Sequence, residues 1–245
     1  YRSIGALLSK FFERYERISC SKFDAVIAAT PSIYDNFSKI NLNTVNINNF
    51  PILNEFSNKT SWREKANEVV YIGDITKARG IEEAVAAIAQ TQNVRLNLVG
   101  KFSERALREK VRKQQGWSNV NEFGYLNRLE IREVFAKSKI GLVTLHPLVN
   151  YIDALPIKMF EYMAAGIPVI ASNFTLWEEI VEGNECGICV CPMDINAIAE
   201  TIQYLISHPK EAERMGKNGR NASKLKYNWA IEEQKLLRFY GELLD

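Results

Sequence analysis

A lysine and a glutamate share one face of a predicted helix in this chain, and an aspartate precedes that helix. The segment 153–172 reads DALPIKMFEYMAAGIPVIAS, in which Pro156 suits the first turn of a helix and the later Gly-Ile-Pro ends it. At 100° per residue, Lys158 and Glu161 point to the same side. We expect both side chains to face a cleft, with Asp153 in the loop before the helix.

This arrangement can bind an anion together with a pair of hydroxyls. A helix N-terminus presents unpaired N–H groups to an anion such as a diphosphate, and Lys158 adds a full positive charge. The carboxylate of Glu161 can accept hydrogen bonds from vicinal hydroxyls such as those of a ribose. An alternative stays open, because the two residues could also form a surface i,i+3 ion pair worth about 0.2–0.5 kcal/mol.

The helix is expected to be amphipathic, with one face on a sheet and the other toward the cleft. Tyr162 and Ala165 fall on the cleft side with the two charged residues. The side that can pack on a sheet carries Met159, Phe160, Met163 and Ala164.

From residue 67 onward, short apolar runs alternate with amphipathic stretches, a pattern that predicts a parallel sheet covered by helices on both faces. The strand candidates are 68–72, 95–99, 119–123, 140–145, 168–171 and 187–190. The helix candidates are 80–91, 104–115, 128–138, 156–165, 176–182, 195–207, 210–224 and 228–244. The sequence therefore predicts one α/β, doubly wound, Rossmann-like domain that binds its ligand at the carboxyl ends of the strands.

The first part of the chain has a different organisation. Its candidates are a helix at 3–21, a strand at 25–29, a helix at 31–38 and a strand at 45–47. Two strands and two helices cannot cover both faces of a sheet, so this part is either the end of another domain or an extension packed on the main one. We expect further residues upstream and a linker in the polar stretch 54–61.

Composition excludes some classes of partner. The apolar fraction is 47%, the charged fraction 24% and the formal net charge +2, so the chain has no general attraction to nucleic acid. No apolar run approaches the ~20 residues that span a bilayer. Residues 9–22 are amphipathic and partly basic, so peripheral membrane contact is an open alternative to a helix that packs on its own domain.

The cysteines indicate a reducing compartment, and the cytosol is the default expectation. The chain has four, at Cys20, Cys186, Cys189 and Cys191, without the spacing of a disulfide framework. The cluster 186–191 could hold zinc, but no second CxxC accompanies it and the chain has only 2 histidines, His146 and His208. Buried small hydrophobes are the favoured interpretation, and no metal site is expected.

The acid, the seven residues after it and the following EYMAAGIPVIAS resemble the E-x7-E region of glycosyltransferase family 4, the retaining, group 1 type enzymes of GT-B fold. The resemblance implies that Glu161 holds the donor ribose and that Asp153 contacts the transferred sugar. Asp153 is one methylene shorter than the family's usual Glu. Backbone amides of the intervening turn are implied to meet the phosphates, at Ala154, Leu155 and Ile157.

A second segment resembles the first strand and loop of the same family. Residues 69–81 read VVYIGDITKARGI, and the family's cations for the diphosphate come from this loop, which begins at Gly73. Arg79 matches one of them. Asp74 stands where the family has an Arg, so Lys77 is expected to replace that charge. Alternatively, both basic residues only solvate a loop.

The third predicted strand ends at FGYL, where the family's base-binding loop lies. The resemblance implies that Gly124 and Tyr125, or backbone near them, meet the nucleotide base. Tyr125 could equally be a core or hinge aromatic. Trp177 lies in a segment that resembles the loop near the first acid, and packing is the favoured interpretation for it.

The resemblance extends to both ends of the chain and implies its domain organisation. Residues 23–32 and 48–51 resemble the last strands and exit loop of the family's acceptor-side lobe. The implied domains are a remnant of that lobe at 1–53, a linker at 54–66, the nucleotide-sugar-binding domain at 67–226 and a crossover helix at 227–245.

The implied function is transfer of a sugar from a nucleoside diphosphate sugar to a hydroxyl acceptor, with retention of configuration and without a metal or cofactor. A saccharide or lipid-linked acceptor in polysaccharide or glycolipid biosynthesis is expected, in the cytoplasm or at the inner face of the membrane. Two alternatives stay open. One is a sugar-nucleotide epimerase of the same architecture, which the acid spacing disfavours, and the other is a donor-binding module without activity of its own.

Overall fold

The computed structural model describes residues 2–56 and 60–244. Within them the strands are β1 (Val26–Ala28), β2 (Thr44–Asn46), β3 (Glu68–Ile72), β4 (Arg95–Val99), β5 (Val120–Gly124), β6 (Ile140–Val143), β7 (Val169–Ser172) and β8 (Gly187–Val190). The α-helices are α1 (Arg2–Cys20), α2 (Pro31–Phe37), α3 (Ile81–Ile88), α4 (Arg105–Val111), α5 (Arg128–Lys137), α6 (Val149–Ile152), α7 (Ile157–Ala164), α8 (Thr175–Val181), α9 (Ile195–Ser207), α10 (Pro209–Leu225) and α11 (Trp229–Leu244).

The chain divides into two compact units. The larger one comprises Phe50–Asn228, and the smaller one contains the stretch up to Asn49 together with the segment from Trp229 onward. Every strand and helix that the sequence predicts is present, with ends shifted by a few residues. The short helix α6 was not predicted, and the helix expected at 104–115 ends at Val111.

The larger unit is built on one parallel sheet in the order β5-β4-β3-β6-β7-β8. The chain adds strands outward from β3 to β5 and then returns to place β6 on the other side of β3. Connections therefore leave β3 and β6 in opposite directions, and a crevice forms where these two strands end.

Both faces of the sheet are covered at its centre, which explains why β3, β6 and β7 read as continuous apolar runs, whereas the edge strand β5 has no fully buried residue. Alternate residues of β3 enter different core clusters, since side chains alternate along a strand. Val70 and Ile72 belong to one cluster, which contains α7 and Trp177. Val69 and Tyr71 belong to the other, which contains α3 and α9. The predicted doubly wound α/β domain is confirmed.

The described residues of the stretch 54–66, expected to be a linker, belong to the larger unit, and residues 57–59 lie outside the described residues. Phe56 is 1% exposed and stacks on Phe135 of α5, with ring centroids 5.7 Å apart. An aromatic ring and a buried lysine, Lys65, anchor this stretch. The compact unit therefore begins at Phe50 rather than at residue 67.

Lys65 caps the C-terminal end of α5. Its Nζ donates to the carbonyl oxygens of Phe135 at 2.7 Å, Ala136 at 3.2 Å and Ser138 at 3.0 Å. These carbonyls have no partner within the helix, and a cation there also complements the helix dipole. Burial lowers the pKa of Lys65 to about 8. The cap fixes the position of α5 along its axis.

The smaller unit contains the parallel pair β1 and β2, with α1, α2 and α11. Glu232 of α11 is 1% exposed and accepts hydrogen bonds from the backbone N–H of Asn48 at 2.9 Å and from Nζ of Lys235 at 2.7 Å. Along α1 the exposed apolar side chains are Leu8, Phe11, Phe12, Tyr15 and Ile18. The assignment of this unit to an acceptor-side lobe stays a prediction. Among the described helices, none combines the length and apolar character needed to cross a bilayer.

Helix α7 lies directly against the sheet through Tyr162. A Cβ atom at Gly141 of β6 would lie 2.3 Å from ring carbons of Tyr162, so only glycine admits the ring there. The hydroxyl of Tyr162 accepts a hydrogen bond from the backbone N–H of Ile72 at 3.0 Å. Tyr162 was expected on the cleft side of α7. It packs on the sheet instead, because its ring fits above Gly141 and its hydroxyl finds a partner at the end of β3.

The substitution Gly141→Ala tests the contact between the Tyr162 ring and Gly141. The added methyl group would overlap a fully buried ring that cannot move away without displacing α7, so we expect the free energy of unfolding to fall by about 1–3 kcal/mol. Gly241→Ala in α11 is the matched control, because nothing lies within 4 Å of its added Cβ. We expect that control to be neutral or up to about 1 kcal/mol more stable. Urea unfolding measures both, and equal stability of the two variants would contradict the close contact between Tyr162 and Gly141.

Candidate functional site

A cavity of about 780 Å³ lies at the carboxyl ends of β3 and β6 in the larger unit. Its walls come from the loops that follow β3, β4, β5 and β6 and from the first turns of α7. The polar and aromatic side chains that line it are Asp74, Arg79, Lys101, Tyr125, Arg128, Asn150, Tyr151, Lys158 and Glu161. The position is the one that the strand order predicts for a ligand.

Lys158 brings a buried charge to the wall of this cavity. The residue is 8% exposed, and its Nζ has no hydrogen-bond partner among the described residues. Nζ lies 3.8 Å from the centre of the Tyr71 ring, a cation–π contact. Burial lowers the pKa of Lys158 to about 7, and the positive charge of Arg79 acts in the same direction. A buried ammonium group without an acceptor is unusual in proteins and indicates a place for an anion.

Arg79 reaches the same region from the loop after β3. A Cβ atom at Gly73 would lie 3.5 Å from Nη1 of Arg79 and 4.0 Å from Nζ of Lys158, so both cations converge on the backbone of Gly73. Nη1 of Arg79 also lies 3.6 Å from Oδ2 of Asp74, whose side chain is 76% exposed. The exposed carboxylate offsets this pair of cations only in part, because water screens it.

A tight backbone contact fixes the loop that carries Arg79. Gly80 has a φ of 74°, and a Cβ atom there would lie 2.0 Å from the carbonyl oxygen of Thr144. Only glycine tolerates both the left-handed conformation and this approach. The backbone N–H of His146 donates to the carbonyl oxygen of Ala78 at 2.9 Å. The loop after β3 is therefore held against the end of β6.

Glu161 is the buried acid of the site. The residue is 4% exposed, and Nη1 of Arg128 donates a hydrogen bond to its Oε1. Burial raises the pKa of Glu161, while the bond from Arg128 acts against that rise. Nε of Arg128 also lies 3.6 Å from Oε2 of Glu55, and its Cζ lies 5.7 Å from the centre of the Phe56 ring. The acid is thus paired with a cation that the sequence analysis did not single out.

The turn before α7 is held by Trp177. This tryptophan is fully buried, and its Nε1 donates to the carbonyl oxygen of Ala154 at 2.7 Å, so its predicted packing role is confirmed. The turn ends at Pro156, and no described side chain caps the N-terminus of α7. The first N–H groups of the helix are therefore available at the cavity wall, where Ala154 and Ile157 also lie.

The structure brings most of the predicted site residues together. Those that line the cavity are Gly73, Arg79, Tyr125, Ala154, Ile157, Lys158 and Glu161. The others do not line it, for local reasons. Lys77 and Asp153 are exposed, at the start of a 3-10 turn and at the end of α6 respectively. Leu155 packs on the core. The carbonyl oxygen of Gly124 accepts a hydrogen bond from the N–H of Gly100 at 2.7 Å, so Gly124 takes part in the backbone pairing of β4 and β5.

Comparison with known proteins decides the family of this fold and cavity. Residues 54–222 match the family model described as "Glycosyl transferases group 1". The chain belongs to this family. The match spans the sheet, the loop with Arg79 and the whole of α7.

Individual relatives agree with the family match. The chain is 26% identical over 163 residues to the MMP α-(1→4)-mannosyltransferase of Mycolicibacterium hassiacum, an alignment that covers 66% of this chain and 38% of that enzyme. Among solved structures, sucrose-phosphate synthase of Thermosynechococcus elongatus superposes with a TM-score of 0.78 at 25% identity, covering 94% of this chain and 60% of that one. Anabaena HepE, solved with UDP-glucose, gives a TM-score of 0.78 at 18% identity, covering 94% and 67%. The chain thus spans well under half of the mannosyltransferase.

Arg128 is the main site residue that the sequence analysis missed. It occupies the first turn of α5, directly after the cap residue Asn127, whose side chain accepts from the N–H groups of Leu129 and Glu130. Acidic residues are favoured at that end of a helix and basic ones are not. The helix itself therefore gives no reason for an arginine here, but the sequence does not indicate which residue it contacts.

The cysteine cluster does not form a metal site in the part of the chain that the structure describes, where no group of three or more potential ligands is close together. Cys186 is fully buried, and burial raises its pKa to about 12. Its interpretation as a small hydrophobe is confirmed. Cys189 is half-buried, and that interpretation was wrong for Cys191, which is exposed at the end of β8.

The substitution Lys158→Met tests whether this residue is retained at the expense of stability. Folding lowers the pKa of Lys158 from 10.5 to about 7, so the unfolded chain binds an extra proton between these values. Wild-type stability should therefore rise with pH across that interval. The variant lacks this rise, and we expect it to be about 1–2 kcal/mol more stable at neutral pH. Urea unfolding at neutral and alkaline pH measures both effects. The exposed Lys77→Met is the control, and a destabilised Lys158→Met protein would contradict the prediction.

Proposed function

We propose that this chain supplies the donor-binding part of a glycosyltransferase that moves a sugar from a nucleoside diphosphate sugar to a hydroxyl acceptor. The observation that carries the proposal is the buried Nζ of Lys158. It has no hydrogen-bond acceptor among the described residues, and Lys158 lines the same cavity as Arg79 and Glu161. Cations converging at a helix N-terminus suit a diphosphate, and a nearby carboxylate suits a ribose.

The chemistry of such a transfer requires stabilisation of the leaving group. As the bond between the sugar and the diphosphate breaks, negative charge develops on the phosphate oxygen. Lys158, Arg79 and the uncapped N–H groups of α7 are held in place before the reaction, so they can stabilise that charge with little rearrangement. The bound diphosphate also supplies the acceptor that Lys158 lacks and favours its protonated form.

The remaining groups of the cavity suit the nucleoside. Glu161 lies far enough along α7 to accept hydrogen bonds from ribose hydroxyls while the first turn meets the phosphates. Tyr125 is 77% exposed at the cavity, with Nζ of Lys101 at 5.8 Å from the centre of its ring. A base can stack on this ring. HepE was solved with UDP-glucose, which makes UDP the first probe to use.

Two residues that the sequence assigns to the donor site, Asp153 and Lys77, do not line the cavity. Asp153 directly precedes the cavity residue Ala154, and we keep the sugar contact implied by the resemblance as its proposed role. Lys77 is two residues from Arg79 and adds positive charge to the approach for the donor rather than a direct contact.

The wider reaction is proposed on the resemblance of the motifs and the family match. We infer retention of configuration, independence of metal ions and cofactors, and a saccharide or lipid-linked acceptor in polysaccharide or glycolipid biosynthesis in the cytoplasm or at the inner membrane face. An epimerase would interconvert the free donor without an acceptor. Incubation with UDP-glucose alone, followed by NMR, separates the two, because a transferase leaves the sugar configuration unchanged.

Binding of UDP tests the role of Glu161. We expect Glu161→Gln to weaken UDP binding by about 10- to 100-fold, because hydrogen bonds from ribose hydroxyls to a charged acceptor contribute about 1.5–3 kcal/mol. Isothermal titration calorimetry gives the affinity. Glu133→Gln, an exposed acid on α5, is the control and should bind as wild type does. No detectable binding of any nucleoside diphosphate to the wild-type chain would rule out the donor site.

Metal removal tests whether protein cations alone hold the diphosphate. We expect an excess of EDTA to leave UDP affinity unchanged and added Mg²⁺ or Mn²⁺ not to raise it, because Lys158 and Arg79 take the place that a divalent ion has in metal-dependent sites. The same titrations with Lys158→Met should show greatly weakened binding. A fall in wild-type UDP affinity on addition of EDTA, or a rise on addition of Mg²⁺, would contradict the expectation.

A further inference from the structure

Arg128 contacts the acid of the site through one oxygen only. Its Nη1 donates to Oε1 of Glu161, whereas Oε2 accepts no hydrogen bond from the described residues. Both side chains line the cavity. The carboxylate therefore has one oxygen engaged by protein and one that a ligand can use.

The stability of α5 does not explain the placement of Arg128. A positive charge in the first turn opposes the helix dipole by about 0.3–1 kcal/mol. The N–H groups there are already satisfied by Asn127, and Glu130 returns a bond to the N–H of Asn127 at 2.7 Å. The residue gains its favourable contacts outside its own helix, with Glu161 above all.

Two further contacts hold the guanidinium in place. Its Nε lies 3.6 Å from Oε2 of Glu55, and its central carbon lies 5.7 Å from the centre of the Phe56 ring. Phe56 is itself 1% exposed, so this side of the arrangement belongs to the core. The Arg128 side chain is 55% exposed, so these two contacts limit its rotamers without burying it.

We propose that Arg128 is a positioning residue for Glu161: by its bond to Oε1 it keeps the buried carboxylate ionised and leaves Oε2 to accept from the hydroxyls of the bound nucleoside diphosphate. The inference rests on the proposed function, since it assigns a role within the donor site.

The charges around Glu161 determine how this role can be measured. The groups that face it are Arg128 on α5, Glu55 in the 3-10 turn 53–56, and Lys158 and Tyr162 on α7. Burial and Glu55 raise the pKa of Glu161, and Arg128 and Lys158 lower it. Without Arg128, the carboxyl group takes up a proton at a higher pH. A protonated carboxyl cannot accept from two hydroxyls as a carboxylate does, so donor affinity should be lost at that higher pH.

The experiment is the pH dependence of UDP affinity, measured by calorimetry on the full chain. In wild type, affinity falls on the acid side as pH drops through the pKa of Glu161, and a separate fall at high pH, where Lys158 loses its proton, is common to all the variants. In Arg128→Gln, we expect near-wild-type affinity at alkaline pH and a midpoint of loss that is about 1–3 pH units higher. Arg128→Lys keeps the charge and should restore most of the wild-type midpoint. Arg132→Gln, one turn further along α5 and exposed, should leave the profile unchanged.

Other outcomes would overturn the inference. An equal loss of affinity at every pH would mean that Arg128 contacts the donor or only supports the fold, and an unchanged profile would mean that it does not act on Glu161. If Arg128→Gln does not fold, Glu55→Gln takes its place: removing that negative charge should lower the midpoint, and no shift would refute the electrostatic role. Failure of the wild-type chain to bind UDP at any pH would instead refute the proposed function.

Discussion

The contact between Tyr162 and Gly141 determines where a site can form in this protein. Because β6 has no side chain at that position, the tyrosine ring lies directly on the strand and its hydroxyl bonds to the end of β3. Helix α7 is thereby held across β3 and β6, the two neighbouring strands at which the order of strand addition reverses. Its N-terminus and the charged residues of its first turns then open onto the crevice. A side chain at residue 141 would lift the helix and separate these groups from the loop after β3.

The site holds more positive charge than its own acids compensate in the buried region. Lys158 and Arg79 converge near Gly73, where the neighbouring acid Asp74 is largely exposed. The fold keeps this imbalance because apolar packing elsewhere on α7 outweighs the desolvation of one ammonium group. Such uncompensated positive charge suits an anionic ligand, as the proposed function requires. The buried acid Glu161, in contrast, is compensated within the protein, because Arg128 donates a hydrogen bond to its Oε1.

The sequence was sufficient for the features that depend on local periodicity. Apolar runs identified the strands, and the helical period placed Lys158 and Glu161 on one wall. The same period placed Tyr162 with them, which was wrong because α7 is buried on every side and its period alone cannot say which buried face meets the sheet. Arg128 was missed because its partner lies 33 residues away, on an element whose packing no local pattern encodes. Asp153 and Lys77 stand in turns, where the direction of a side chain depends on backbone detail that residue type does not reveal.

The burial of α7 also affects how this protein can diversify. Every residue from Lys158 to Ala164 is buried, and those that do not line the cavity pack tightly, so a change at these packed positions disturbs several neighbours at once. The loops after β4 and β5 contribute side chains such as Lys101 and Tyr125, which are exposed and can be replaced with little strain. Changes in those loops can therefore alter the lining of the cavity while the packing of α7 on the sheet is kept. A laboratory library aimed at the cavity has its permissive positions in these loops, whereas the residues of α7 that pack on the sheet tolerate little change.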